Sequence, residues 1–94
     1  MLIRIVKMYF KPESVSDFLV LFESVKDKIR FFEGCQQLEL LQDLDNPNSL
    51  STYSIWENAQ ALENYRQSDL FKNTWAKTKI LFALPPLAFS SEKK

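Results

Sequence analysis

Apolar positions along the chain follow two different periods, and the changes between them mark the expected strands and helices. Residues 2–10 are rich in β-branched and aromatic side chains and end just before Pro12, which predicts a first strand. Side chains alternate between the two faces of a strand, and here both sets are mostly apolar. We therefore expect this strand to be covered on both sides.

A helix is predicted next, from Glu13 to Glu33, because apolar residues recur there at alternating spacings of three and four. Ser14 and Asp17 are spaced as a capping box, in which the serine satisfies free N–H groups of the first turn. Gly34, the only glycine, follows at the position where a helix end requires a positive φ angle. The helix is thus expected to be bounded at both ends.

The remainder of the chain divides, by the same criteria, into two more strands and two more helices. The strands are expected at residues 35–43 and 50–57, joined by a turn at 44–48, and the helices at residues 58–66 and 68–82. Asn58 and Ser68 are the predicted N-caps of the two helices. Pro85 and Pro86 are expected to stop the last helix, before a short strand over residues 87–90 and a polar tail from about 91.

The order of these elements is strand, helix, strand, strand, helix pair, strand. Two βαβ halves of this kind form a ferredoxin-like split βαβ sandwich, an α+β fold in which the helices cover one face of a four-stranded antiparallel sheet. No linker and no low-complexity segment interrupts the pattern. Residues 1–94 are therefore expected to form a single domain.

Helices on one side leave the opposite face of the sheet open. If the strands alternate, one helical layer cannot hide all of the apolar and aromatic strand residues, which include Ile3, Ile5, Tyr9, Tyr53 and Ile55. A contiguous exposed apolar patch is unusual on a soluble monomer. We therefore predict a homodimer in which the two sheets face each other.

Charge and cysteine content narrow the range of partners. Twelve Lys and Arg side chains balance twelve Asp and Glu side chains, whereas binding to nucleic acid or an anionic membrane needs a basic excess on one face. No apolar run approaches the length that spans a membrane, and no signal-like segment is recognised. The single Cys35 forms no intramolecular disulfide. We expect an intracellular, cytoplasmic protein that binds neither nucleic acid nor membrane.

Histidine is absent from the chain, which removes Ser–His and Cys–His nucleophile pairs, His-ligated zinc and histidine-ligated haem. No spacing of Asp, Glu or Cys suggests a metal site, and one glycine is too few for a phosphate-binding loop. Chemistry in this chain must therefore use tyrosine, carboxylate, lysine or arginine side chains, or a bound cofactor.

A recognisable pattern runs through the segment from Trp56 to Phe71. A strand ends in Trp56-Glu57, a short helix reaches Tyr65, and a serine, Ser68, precedes the phenylalanine. This pattern, with the order of elements, resembles the antibiotic biosynthesis monooxygenase (ABM) family of small dimeric α/β-barrel proteins. The resemblance implies a barrel closed by a homodimer, with an apolar pocket between helices and sheet in each protomer.

The resemblance also implies two kinds of activity. Some ABM proteins oxygenate polycyclic phenols or quinols without metal or flavin, the substrate supplying the electrons to O₂, and others resemble haem-degrading monooxygenases. The position of Tyr65 is often histidine in the wider family and tryptophan in haem degraders. Haem degraders have their iron-ligating histidine where Trp75 stands and an asparagine near Val6. These departures argue against haem degradation.

Two candidate catalytic residues follow from the resemblance. Tyr65 offers a phenol that both donates to and accepts from a bound quinol or phenolate, although its ring could equally pack on the sheet with the hydroxyl in water. Arg66 ends the short helix, where a cation suits the helix dipole, and alternatively holds an anionic substrate oxygen. The candidate substrate-binding residues are Tyr53, Trp56, Phe71, Trp75 and Phe82.

Each of these aromatic candidates has a structural alternative. Phe71, Trp75 and Phe82 fall on one helical stripe, which is more often core than cofactor site, and Trp75 could fill the pocket rather than line it. Tyr53 and Trp56 point to opposite faces of their strand. In the first strand, Arg4 and Lys7 also lie on opposite faces, and the inward one is expected to pair with a carboxylate such as Glu39.

The resulting hypothesis is a homodimeric ABM-like monooxygenase that oxidises a small aromatic or quinol-like compound without a metal or other cofactor. The alternative is a non-catalytic dimeric domain that binds a small molecule or another protein and has lost the chemistry. The sequence leaves both open and does not identify the substrate.

Overall fold

The computed structural model describes all residues from 1 to 94 and contains four strands and three α-helices. In chain order they are β1 (Leu2–Phe10), α1 (Val15–Arg30), β2 (Cys35–Gln42), β3 (Ser49–Trp56), α2 (Ala59–Arg66), α3 (Asp69–Lys79) and β4 (Phe82–Glu92). None of the helices combines the length and apolar character needed to cross a membrane.

The four strands form one antiparallel sheet in the order β2-β3-β1-β4. The two central strands, β1 and β3, come from the two halves of the chain, as a split βαβ fold requires. The predicted α+β, ferredoxin-like architecture is therefore confirmed. In this register Arg4 lies opposite Ser54 on one side and Ser90 on the other, so these side chains share one face of the sheet.

Two clusters of buried side chains hold the helices on that face. The first joins β1 to α1 and consists of Met8, Phe10, Phe18 and Leu50. The second joins β3 to α2 and consists of Cys35, Trp56, Ala61 and Leu62. Burial of such apolar surface is the main source of folding free energy, so these clusters fix the positions of the helices relative to the sheet.

The predicted capping box at the start of α1 is wrong. Ser14 belongs to a tight 3₁₀ turn over Pro12–Ser14, and its backbone lies in the helical region (φ −102°, ψ −6°). An N-cap side chain needs an extended backbone to reach back to the free N–H groups. Ser14 accordingly makes no capping hydrogen bond, and its buried backbone N–H donates to the Lys11 carbonyl at 2.8 Å.

Helix α1 ends at Arg30 rather than at Glu33, because its last turn tightens: the Phe32 N–H donates to the Ile29 carbonyl at 3.1 Å. Gly34 has the predicted positive φ, +89°, and it makes the turn into β2. A Cβ atom at this position would also collide with the Ala61 side chain, so glycine is required there for two reasons.

The prolines near the C-terminus lie within a strand, contrary to the prediction that they stop a helix. Helix α3 already ends at Lys79, and β4 runs from Phe82 to Glu92. β4 is an edge strand, and its pairing with β1 shifts register at Pro85 and Pro86. Proline is tolerated at such a place because an edge strand or a bulge does not require every N–H.

Candidate active site

A cavity of about 310 Å³ lies between the sheet and the helices, flanked by the two buried clusters. Its wall is formed by 21 residues, of which 14 are hydrophobic. The sheet contributes alternate residues of β1 and β3, and all three helices contribute side chains from their inner faces. An apolar cavity with a few polar groups is the usual form of a small-molecule site.

Aromatic rings in contact line one side of this cavity. Trp56 and Tyr65 stack with centroids 5.0 Å apart, and Tyr65 meets the edge of Phe71 at 5.2 Å. Phe71 in turn stacks on Trp75 at 5.9 Å with an interplanar angle of 10°. Such offset and edge-to-face pairs stabilise one another beyond their buried area. The wall is therefore a preformed surface against which a flat ring can pack.

Tyr65 is held in this wall by hydrogen bonds at both ends of α2. The Asn58 side chain accepts from the Ala61 N–H at 2.8 Å and caps the start of the helix. At the other end, the Ser68 hydroxyl donates to the Tyr65 carbonyl at 2.6 Å and accepts from the Phe71 N–H at 3.1 Å. Ser68 thus joins α2 to α3, and both N-caps predicted from the sequence are confirmed.

The Tyr65 hydroxyl makes no hydrogen bond to another group of the chain. Burial raises the pKa of the Tyr65 phenol well above its usual range, and the neighbouring Cys35 adds a smaller effect in the same direction. Tyr65 is therefore a neutral hydrogen-bond donor at physiological pH.

Two arginines, Arg4 and Arg66, are the charged residues of the cavity wall. The Arg4 guanidinium donates to the Ser90 hydroxyl at 3.1 Å and has no carboxylate within 4.0 Å. Partial burial, and then the nearby charge of Arg66, lower the pKa of Arg4. Arg66 lies at the surface with about half of its side chain exposed, and it pairs with Glu63 at 3.4 Å. The cavity therefore reaches the solvent beside Arg66.

The expected pairing of an inward charge with Glu39 is wrong. Arg4, not Lys7, faces the helices, and Glu39 instead accepts a hydrogen bond from the Gln37 side chain at 2.6 Å. Glu39 lies opposite Tyr53 in the register, on the face of the sheet away from the helices. Its carboxylate is thus on the wrong side of the sheet to neutralise Arg4.

Five of the seven candidate site residues from the sequence line the cavity: Trp56, Tyr65, Arg66, Phe71 and Trp75. Tyr53 lies on the other face of the sheet, beside Ile5, and is not part of the wall. Phe82 belongs to β4 rather than to α3, and it supports Trp75 from behind with ring centroids 5.6 Å apart. Trp75 therefore lines a cavity that remains open beside it.

Several wall residues were not among the site residues predicted from the sequence, and Arg4 is the only charged one among them. The alternation of β1 contained the signal, because Arg4 shares its face with Val6 and Met8, which both line the cavity. Thr74 and Thr78 also line it, from the inner face of α3. The Thr78 hydroxyl is already engaged with the Thr74 carbonyl at 2.8 Å, so it contributes shape rather than a free donor.

The wall does not fit a haem group. It provides no imidazole and no thiolate, and the remaining possible ligands are the Met8 thioether and the Tyr65 phenol. A haem-ligating methionine works beside a histidine, and a ligating tyrosine must lose its proton, which burial opposes in Tyr65. Nowhere in the chain do three or more Asp, Glu, Cys or His side chains gather as a metal site.

Comparisons with known proteins agree with this geometry. A family model described as "Antibiotic biosynthesis monooxygenase" matches residues 1–77. No curated protein matches the chain. Among solved structures, a conserved protein from Methanosarcina mazei Go1 is similar over 100% of this chain and 94% of its own, with 28% identity and a TM-score of 0.93.

Two further structures show the same fold at lower identity. One, described as an antibiotic biosynthesis monooxygenase, is 19% identical over 100% of this chain and 99% of its own, with a TM-score of 0.93. The other, Rv0793 from Mycobacterium tuberculosis, is 19% identical over 99% of this chain and 94% of its own, with a TM-score of 0.91.

Proposed function

Because the chain belongs to the antibiotic biosynthesis monooxygenase family, we propose that it is a monooxygenase of a small aromatic, quinol-like compound. The reaction uses O₂ and no resident metal or flavin. The observation that carries this proposal is the aromatic-lined cavity of about 310 Å³ with the neutral Tyr65 phenol in its wall. A flat, electron-rich ring has both a packing surface and a hydrogen-bond donor there.

The electrons for the reaction come from the substrate. In an anthrone, a methylene group between two rings becomes a carbonyl, so that R₂CH₂ and O₂ give R₂C=O and H₂O. The methylene carbon supplies the four electrons that reduce O₂, one oxygen atom enters the product, and the other leaves as water. The protein has to bind the substrate as its electron-rich anion and keep it beside O₂ in a site with little water.

Tyr65 is suited to support that anion rather than to create it. A base would have to be a phenolate, and burial keeps the Tyr65 phenol protonated. As a donor, its hydroxyl can stabilise the negative oxygen that develops on the ring when the substrate loses a proton. Such a donor is more effective in an apolar cavity than in water, because the low dielectric weakens competing screening.

A non-catalytic binding domain is the second candidate function. It is favoured by the lack of any side chain in the wall that acts as a base at neutral pH, since histidine is absent from the chain. The same cavity would then hold an aromatic ligand without turning it over. The two functions differ in one measurable property, the consumption of O₂ when substrate is bound.

The working unit in this proposal is a homodimer. The face of the sheet away from the helices has a row of Phe89, Ile5 and Tyr53 in neighbouring strands, next to Ile3 and Ile55. Phe89 is 49% exposed in the single chain. Pairing two such faces through a two-fold axis would remove this apolar surface from water.

Oxygen-electrode measurements with a panel of hydroquinones and anthrones test the proposed activity. We expect uptake with the native protein and a loss of about 10²-fold in kcat/KM for Tyr65→Phe, the usual effect of removing one donor to a developing oxyanion. Tyr53→Phe, which deletes a hydroxyl from the opposite face of the sheet, is the matched control and should keep native turnover.

Two outcomes would contradict parts of the proposal. Unchanged turnover in Tyr65→Phe would remove Tyr65 from the reaction while leaving the activity in place. No uptake with any compound that binds in the cavity would instead favour the non-catalytic function.

A further inference from the structure

Arg4 is a cation in the cavity wall without an anionic partner. It comes from the centre of the sheet, where its neighbours in the wall are Val6, Ser54 and Ala88, and the chain provides only the Ser90 hydroxyl as an acceptor. Arg4 is partly buried, so its guanidinium loses some of its hydration without gaining a carboxylate partner. An arginine without a carboxylate partner in the wall of a ligand-sized cavity therefore has free donors for an anionic ligand.

The free donors of Arg4 fit a planar anion. A guanidinium carries five N–H donors in a rigid fork, and one of them is used by Ser90. The fork matches the two oxygens of a carboxylate better than a single oxygen, because two parallel hydrogen bonds then form at once.

A second cation strengthens the local preference for an anion. Arg66 lies where the cavity reaches the solvent, close enough for its charge to lower the pKa of Arg4. The only carboxylate paired with Arg66 is that of the half-exposed Glu63, with an N–O distance of 3.4 Å, and Glu63 is not part of the wall. The polar part of the cavity therefore has two positive charges and no negative side chain.

We propose that the natural ligand is an aromatic acid, with its ring against the wall formed by Tyr65, Phe71 and Trp75 and its carboxylate on Arg4. Arg66 attracts the acid at the surface, and Arg4 binds it inside. The aromatic part of this ligand rests on the proposed function. The carboxylate part does not, because its binding to Arg4 does not require turnover. The assignment adds a specificity-determining residue, Arg4, to the site.

Calorimetric titration with 2-naphthoate and its uncharged analogue 2-naphthamide tests the assignment. We expect the native protein to bind the acid about tenfold or more tightly than the amide, the usual effect of a charge-assisted hydrogen-bonded pair. Arg4→Met should reduce this ratio to about one while retaining the amide. Lys72→Met, which removes an exposed charge on α3 outside the cavity, is the matched control and should keep the native ratio.

Binding of the amide as tight as the acid in the native protein, or an undiminished ratio in Arg4→Met, would overturn the assignment. Selection of an ionised phenol in place of the acid would also overturn it. That result would appear as a fall in the pKa of bound 4-nitrophenol that depends on Arg4, with no preference for 2-naphthoate over 2-naphthamide. If Arg4→Met does not fold, a crystal structure of the native protein with 2-naphthoate decides, since the carboxylate must contact the Arg4 guanidinium.

These measurements separate the ligand class from the reaction. Arg4-dependent selection of the acid without O₂ uptake by any compound would support the anion site and contradict the monooxygenase. O₂ uptake with uncharged quinols, together with equal binding of acid and amide, would support the monooxygenase and contradict the anion site.

Discussion

Burial has opposite effects on the pKa values of two polar residues in the cavity wall, Tyr65 and Arg4. It disfavours the charged form of each, so it raises the pKa of the acid Tyr65 and lowers that of the base Arg4. Neither change crosses neutral pH: Tyr65 stays an uncharged phenol, and an arginine keeps its proton in proteins. A ligand therefore meets one neutral donor and one cationic donor, and this pair discriminates in favour of ligands with negative oxygens.

The buried phenol of Tyr65 predicts how stability depends on alkaline pH. Above the usual tyrosine pKa, about 10, the unfolded chain releases the Tyr65 proton while the folded protein retains it. The folded state then binds more protons, so the free energy of unfolding falls as pH rises. We expect Tyr65→Phe to reduce this decline by up to about 1.4 kcal/mol per pH unit above pH 10, measured by urea denaturation at several pH values.

Asn58→Ala serves as the control for this measurement, because it removes a helix-capping hydrogen bond without removing a titratable group. It should leave the alkaline slope of the native protein unchanged. Equal slopes in the native protein and in Tyr65→Phe would show that the Tyr65 phenol ionises in the folded state, contrary to its placement among Trp56, Phe32 and Phe71.

Caps and strand partners explain which elements could be predicted from the sequence. Asn58 and Ser68 stand at the starts of short helices with their own backbone extended (ψ 177° and 155°), and both side chains accept the expected N–H. Ser14 is also a residue type that caps helices, but Pro12 starts a 3₁₀ turn in which the Ser14 backbone lies in the helical region. The local pattern is therefore sufficient only where the cap residue itself has an extended backbone.

The end of the chain depended on long-range pairing and could not be predicted. Phe82 continues the helical apolar spacing of α3, yet it lies in β4 because it pairs with Phe10. The same pairing admits Pro85 and Pro86 into an edge strand, which no local rule favours. In the site, the aromatic residues were predictable from their positions around α2 and α3. Strand alternation places Arg4 on the inner face with Val6 and Met8, whereas its hydrogen bond to Ser90 depends on the pairing of β4 with β1 and could not be predicted.

The difference between Asn58, which caps α2, and Ser14, which does not cap α1, can be tested by comparing two alanine variants. Asn58→Ala removes the acceptor for the Ala61 N–H at the start of α2, and we expect the free energy of unfolding to fall by about 1 kcal/mol in urea denaturation. Ser14→Ala should have a clearly smaller effect, because the Ser14 side chain accepts no capping bond. An equal loss in both variants would contradict the assignment of α1 as an uncapped helix.

The whole molecule uses the two faces of one sheet for different purposes. The inner face, with Arg4, Val6 and Met8, forms the cavity under the helices, and the outer face, with Ile3 and Ile5, has no helix against it. β1 contributes to both faces, which accounts for its apolar character on both sides. A ligand in the cavity and a second chain on the outer face would therefore not compete for the same side chains.

Dimerisation through the outer face predicts a selective effect of one charge. In Ile5→Lys the new charge lies between Tyr53 and Phe89. A dimer would bury one such lysine from each chain, whereas in a monomer the lysine would stay partly in contact with solvent. We expect light scattering to show a dimer for the native protein at micromolar concentration and a monomer for Ile5→Lys. Leu44→Lys, at a fully exposed loop residue, is the control and should remain dimeric. A monomeric native protein would contradict the proposed interface, and a dimeric Ile5→Lys would move it to another surface.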